Sequence, residues 1–183
     1  MTDREATAGG ALPPAVEAIR LVKSFGGVRA LDGASFAAAA GEVHALVGEN
    51  GAGKSTLIKI LGGRIRADSG SVRLAGAAVD LHGPDQAHLR GAWTVFQELT
   101  LLPWMTVAEN LLLRDEPRGA LGLIRRRLLS QEADAALARL GIRHIDPDAL
   151  VEDISLAARQ ILEIARVVIK DPDILFLDEP TSS

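Results

Sequence analysis

The 183-residue sequence contains no cysteine, which removes disulfides, thiol nucleophiles and thiolate metal ligands from consideration. Its four histidines, His44, His82, His88 and His144, are too widely spaced to form a local metal motif, and each reads as an ordinary surface or core residue. No apolar run reaches the ~20 residues needed to cross a bilayer. The polar opening MTDREATAGG lacks the basic start and apolar stretch of a signal peptide, so the chain is expected in the cytosol. Excess basic charge is missing as well. The formal net charge is −4, the wrong sign for gripping a nucleic-acid backbone, and no nucleic-acid partner is expected. The basic cluster Arg125, Arg126 and Arg127 reads as a solvated helix face. Internal repeats are also absent.

What is present is a globular composition, 48% hydrophobic and 24% charged, suited to one domain with a sizeable core. Residues 1–15, rich in Ala, Gly and Pro, read as a flexible leader. Short apolar or alternating runs at 16–22, 42–47, 71–74, 93–96 and 174–177 read as strands, the last as a parallel strand buried on both faces. Helical patterns lie at 54–61, after Pro84, and at 106–113, 130–140 and 155–170. Strands alternating with helices give an α/β fold. Thr106 with Glu109 forms a capping box, Ser130 can cap the next helix, and Gly141 supplies its left-handed stop. In the last helix Ile161, Ile164, Ala165 and Val168 fall on one face, which predicts the docking stripe.

The strand at 42–47 runs into Gly48-Glu49-Asn50-Gly51-Ala52-Gly53-Lys54-Ser55-Thr56, a match to G-x-x-x-x-G-K-[ST] that opens a helix. Glycines let backbone N–H groups turn inward around phosphates, and the helix start adds partial positive charge. Lys54 can reach the β- and γ-phosphates of a bound nucleotide, and the Ser55 hydroxyl can ligate Mg²⁺. Glycine-rich turns also occur without a ligand, but here strand, loop and helix follow in the required order. The second element is Ile174-Leu175-Phe176-Leu177-Asp178-Glu179, an apolar strand ending in two carboxylates at its ligand-binding end. Asp178 is the expected outer partner of Mg²⁺ and Glu179 the general base that polarises water. Alone, two acids could simply cap a strand; with the phosphate loop they indicate hydrolysis.

Four segments in order, LVGENGAGKSTLIKILGG (46–63), VFQELTLLPWMTVAENLLL (95–113), ISLAARQILEIARVV (154–168) and ILFLDEPTSS (174–183), resemble the motifs of ABC transporter ATP-binding proteins. The bacterial carbohydrate-importer group is the nearest resemblance. It implies a P-loop NTPase (RecA-like) core over 16–98, with an N-terminal antiparallel β part. It further implies a helical subdomain inserted at 99–170 and the acidic strand with the start of the following loop at 171–183. It also implies an ATPase on the cytoplasmic face of the membrane that binds ATP and Mg²⁺ and powers solute import, with sugar as the cargo. The implied partners are permease subunits, a second ATP-binding domain (a tandem half or a second copy) and, indirectly, a substrate-binding protein.

Residue by residue, the resemblance places Phe25 against adenine and Gln97 at the loop glutamine that links Mg²⁺ and attacking water to the permease. Ser155 falls in the signature that serves the second subunit's ATP. Leu156 and Ala157 stand where that signature has glycines, and Ala158 where it has glutamine. Trp104 is expected near the permease-facing groove, a core position being the alternative. The family continues past the point reached by Ser183, with a strand expected between the 42–47 and 174–177 strands. The chain is thus expected to be a fragment of a longer product, poorly soluble and nearly inactive in isolation. Alternatives are a catalytically impaired nucleotide-binding remnant or an ATPase for nucleoside or autoinducer import. The segment between Gln97 and Ile154 is too short for the coiled coil of a chromosome ATPase.

Overall fold

A computed structural model describes residues 14–96 and 99–178. Composition suggests one core, but the chain divides into two compact units, 1–92 and 93–183, because the helical segment builds a core of its own.

In the first unit, β1 (Val16–Phe25) and β2 (Val28–Ala38) form an antiparallel hairpin, and β1 also pairs antiparallel with β3 (Ser69–Leu74). With β4 (Ala77–Val79) the sheet order is β2-β1-β3-β4. The alternation of β1 buries Val16, Ala18 and Leu21, and that of β3 buries Val72 and Leu74, as expected for a sheet with one covered face. Helix α1 (Lys54–Leu61) buries Leu57, Ile58, Ile60 and Leu61. The short α2 (Pro84–His88) carries Pro at its start, where no amide is needed.

Residues 42–47, expected as a strand, form none and belong to neither sheet. Val43 and Val47 are fully or almost fully exposed. Alternating hydrophobicity marks the face that a strand would bury, but a ladder partner makes the strand, and no described segment supplies one here.

The second unit takes up the chain within β5 (Ala92–Val95), which pairs with β6 (Ile174–Leu177). Phe176 is buried while Leu175 and Leu177 are exposed, so β6 is covered on one face where burial on both was expected. Helix α3 (Val107–Leu111) starts from the predicted capping box: Glu109 N–H donates to Thr106 Oγ1 and Thr106 N–H to the Glu109 carboxylate. Helix α4 spans Arg126–Arg139. It begins four residues before the expected Ser130 cap and ends as expected at Gly141, φ 76°. There Ile142 N–H donates to Leu137 O and Gly141 N–H to Ala138 O, the paired bonds of a Schellman stop.

After a 3-10 turn at Val151–Asp153, α5 (Leu156–Val168) is capped by Ser155. Val107, Leu111, Leu129, Leu137, Val151 and Leu162 anchor the core of this unit. The docking face of α5 is rotated from the predicted stripe. Ala158, Leu162 and Ala165 join the core and Ile161 packs against it, whereas Ile164 and Val168 are only half-buried. The turn of the helix also buries Glu163, which a polarity pattern would have placed outside.

Candidate functional site

The loop at 48–56 is shaped by its own residues. Ala52 N–H donates to Glu49 O at 3.1 Å, closing a turn. Gly51 and Gly53 stand at φ 84° and 87°, a region that strains other residues. A side chain at Gly53 would put its Cβ 2.5 Å from Ala30 O in β2, so this glycine also permits the loop to lie against the sheet. Gly53 is the N-cap of α1, and it offers no side-chain cap to the first-turn amides, nor is there an acid in that turn.

An uncapped helix start behind a glycine turn is a ready anion cradle. Lys54 closes it: its ammonium donates to Gly48 O at 2.7 Å and Glu49 O at 2.8 Å. Gly48, Asn50, Gly51 and Ala52 are exposed, while Gly53, Lys54, Ser55 and Thr56 are half-buried. This donor set fits a phosphate group, with Lys54 held across the loop by two neutral carbonyls that a phosphate oxygen can replace. The turn at 39–42 leading to this segment is fixed by Glu42. Ala39 N–H first, and the His44 ring second, hold its carboxyl below the usual carboxylate range.

Phe25 ends β1 beside the two-residue turn Gly26–Gly27. It is 48% exposed, so it is no core residue, and the Lys23 ammonium lies 5.5 Å from its ring centroid. Asp68 ties this hairpin end to the start of β3, accepting from Lys23 Nζ and Ser24 N–H, each at 2.7 Å. The Lys23 bond first and the Ser24 bond second hold the Asp68 carboxyl below its ordinary range.

In the second unit Asp178 follows β6. It is buried, and its N–H donates to Val95 O at 3.0 Å. Gln97 and Glu179 lie outside the described residues. The segment after Gln97 is pinned twice by buried polar side chains that the sequence pattern did not single out. Glu163, 4% exposed, accepts from Thr100 Oγ1 at 2.7 Å, Thr100 N–H at 3.3 Å and Arg166 at 2.6 Å, and Arg166 also donates to Thr100 Oγ1. Asn110, fully buried, accepts from Leu102 N–H at 2.7 Å and donates to Leu102 O and Thr106 O at 3.0 Å each. Asn110 interrupts the apolar run that begins at Val107, which is the one signal the sequence offered, whereas the pattern around Glu163 gave none.

Trp104, on the segment between these pins, is 70% exposed, which excludes the core alternative. Ser155 Oγ accepts from Ala158 N–H at 3.2 Å, and Ser155, Leu156 and Ala157 are exposed. Among the described residues no His, Asp and Glu side chains cluster as a metal site, and no helix is long and apolar enough to cross a membrane.

The glycine loop opening α1, the acid-ended strand β6 and the helical unit between β5 and β6 define a P-loop NTPase fold. The ABC transporter family matches residues 31–182, and the chain belongs to that family. It is 43% identical over 175 residues to the ribose import ATP-binding protein RbsA of Rhodococcus jostii, covering 94% of this chain and 35% of that protein. It is 45% identical over 161 residues to the ribose import ATP-binding protein RbsA 1 of Mesorhizobium japonicum, covering 88% of this chain and 31% of that protein. The chain thus spans about a third of the length of these curated relatives. Among solved structures, the ADP conformation of an ATP-binding cassette of an ABC transporter superposes with a TM-score of 0.77 at 28% identity, over 93% of this chain and 70% of that one.

Proposed function

We propose that this chain is the nucleotide-holding part of an ATPase that powers import of a sugar through a membrane permease. The observation that carries the reading is Lys54, whose ammonium is held by Gly48 O and Glu49 O at the mouth of the uncapped α1 start. On this reading the amides of the glycine loop and Lys54 bind the β- and γ-phosphates of ATP, and the exposed Phe25 ring stacks on adenine. Ser55 and, in the second unit, Asp178 carry oxygen donors suited to Mg²⁺, with Gln97 as a further ligand. Bound Mg²⁺ supplies neutralising charge on the phosphates. Glu179 orients and deprotonates water. The printed functions of the ribose import relatives support sugar as the cargo.

The exposed Trp104 is assigned to the permease-facing groove on the cytoplasmic side of the membrane. Ser155 is assigned to the interface with a second ATP-binding domain, where the side chains of Leu156 and Ala157 stand in place of glycine and limit close backbone approach.

Binding of a fluorescent ATP analogue with Mg²⁺ tests the nucleotide reading. Lys54→Ala is expected to weaken binding by about tenfold or more, the scale of one charge-assisted contact to phosphate. Its thermal midpoint should stay near that of the parent, since Lys54 is not buried. Absence of binding by the parent, or equal binding by the variant, refutes the reading. Uptake of labelled ribose and galactose by cells lacking the gene tests the cargo separately: unchanged uptake of both refutes these two sugars as the cargo and leaves nucleotide binding standing.

A further inference from the structure

Between residues 117 and 127 the sequence has four arginines and no carboxylate, within a chain of net charge −4. This stretch is ordered by its own backbone. Arg118 and Ile124 form an antiparallel bridge, Gly119 N–H donates to Leu123 O at 2.9 Å, and Arg125 N–H donates to Pro117 O at 2.8 Å. The resulting hairpin displays apolar side chains to solvent: Leu121 is 87% exposed, Leu123 70% and Ile124 42%. Arg125, Arg126 and Arg127 follow directly and are exposed. Arg118 is paired with Glu116, but among the described residues none of the other three has a carboxylate partner.

An acidic protein surface would match the guanidinium groups yet leave the projecting leucines in water or on polar ground. A dry protein pocket would take the leucines but would have to supply anions at its rim for three adjacent arginines. A bilayer interface offers both environments within ~5–10 Å of depth, acyl chains for the apolar tip and phosphates for cations whose aliphatic stems cross the boundary. We propose that the 117–125 hairpin and Arg125–Arg127 dock on an anionic phospholipid surface, the tip side chains entering the headgroup boundary and the arginines pairing with lipid phosphates. This contact needs no nucleotide.

Flotation of the 183-residue chain with vesicles tests it, because aggregated protein sinks and is not scored. Vesicles containing phosphatidylglycerol should carry the chain upward at low salt, and pure phosphatidylcholine vesicles should not. Leu121→Ser with Leu123→Ser, and separately Arg125→Ser with Arg126→Ser and Arg127→Ser, should each reduce partitioning about tenfold or more. All five positions are exposed, and thermal midpoints report whether the variants remain folded. If either variant unfolds, L121W carries the test: its emission should shift to the blue with anionic vesicles and be quenched by brominated acyl chains. Equal recovery with neutral and anionic vesicles overturns the proposal, as does binding that survives both sets of substitutions. An L121W shift with polyglutamate and none with vesicles overturns it too, assigning the patch to an acidic protein surface. Nucleotide binding measured on the same samples keeps this outcome distinct from the fate of the ATPase reading.

Discussion

Replacing Gly51 and Gly53 separately by alanine distinguishes two reasons for a glycine in the same loop. Both stand at nearly the same left-handed φ, 84° and 87°, so alanine at either position costs about 1–2 kcal/mol of backbone strain. Their surroundings differ. A Cβ at Gly51 meets nothing within 4 Å, whereas one at Gly53 would lie 2.5 Å from Ala30 O and 2.8 Å from Leu31 Cδ2.

An ordinary carbon–oxygen contact is about 3.3 Å. The loop or the β2 backbone must therefore yield by roughly 0.8 Å, and Ala30 lies in a strand already paired with β1. Overpacking of this kind adds about 1–3 kcal/mol. Gly53→Ala is thus expected to cost about 2–5 kcal/mol and Gly51→Ala about 1–2 kcal/mol. Thermal unfolding should separate them by about 2–4 °C for each kcal/mol of difference. Nucleotide titration should show the larger affinity loss for Gly53→Ala, because the displaced residue opens α1. Equal destabilisation by the two variants would refute the close approach of the loop to β2, and a harmless Gly53→Ala would refute the strain as well.

Two further predictions follow from the pins outside the loop. Asn110→Ala leaves Leu102 N–H and two carbonyls without their buried partners and should cost about 2–4 kcal/mol. Hydrogen exchange at the Leu102 amide should quicken with it, and unchanged protection there would count against the clamp. Asp68 gives a pH signature. Because hydrogen bonds from Lys23 and Ser24 depress its native pKa, its stabilising contribution is fully present above the ordinary carboxylate value of about 3.9 and is lost as pH falls through the native value. The thermal-midpoint deficit of Asp68→Asn should therefore hold steady from pH 7 down to about 4 and shrink only as pH falls further, below about 3.9, and a deficit that does not shrink below that value would reject the linkage.

The features legible in the sequence were those settled within a few residues of one another. The phosphate loop, the start of α1 at Lys54, the Thr106–Glu109 box, the Gly141 stop and the limits of β6 all rest on contacts spanning six residues or fewer or on a short apolar run. What failed was what needs a distant partner. The alternation at 42–47 could not reveal that no described strand pairs with it, and the uniform apolarity of β6 could not show that Leu175 and Leu177 face out. The register of α5 failed for the same reason. Hydrophobic periodicity assigns a carboxylate to solvent, but burial depends on whether its oxygens find donors, and Glu163 finds Thr100, a residue 63 positions away.

The same division orders the site itself. The glycine loop carries its own geometry and can be read from nine consecutive letters. The segment following Gln97 takes its position from Glu163 on α5 and Asn110 on α3, so a change in either helix moves that segment without touching any residue of the phosphate loop.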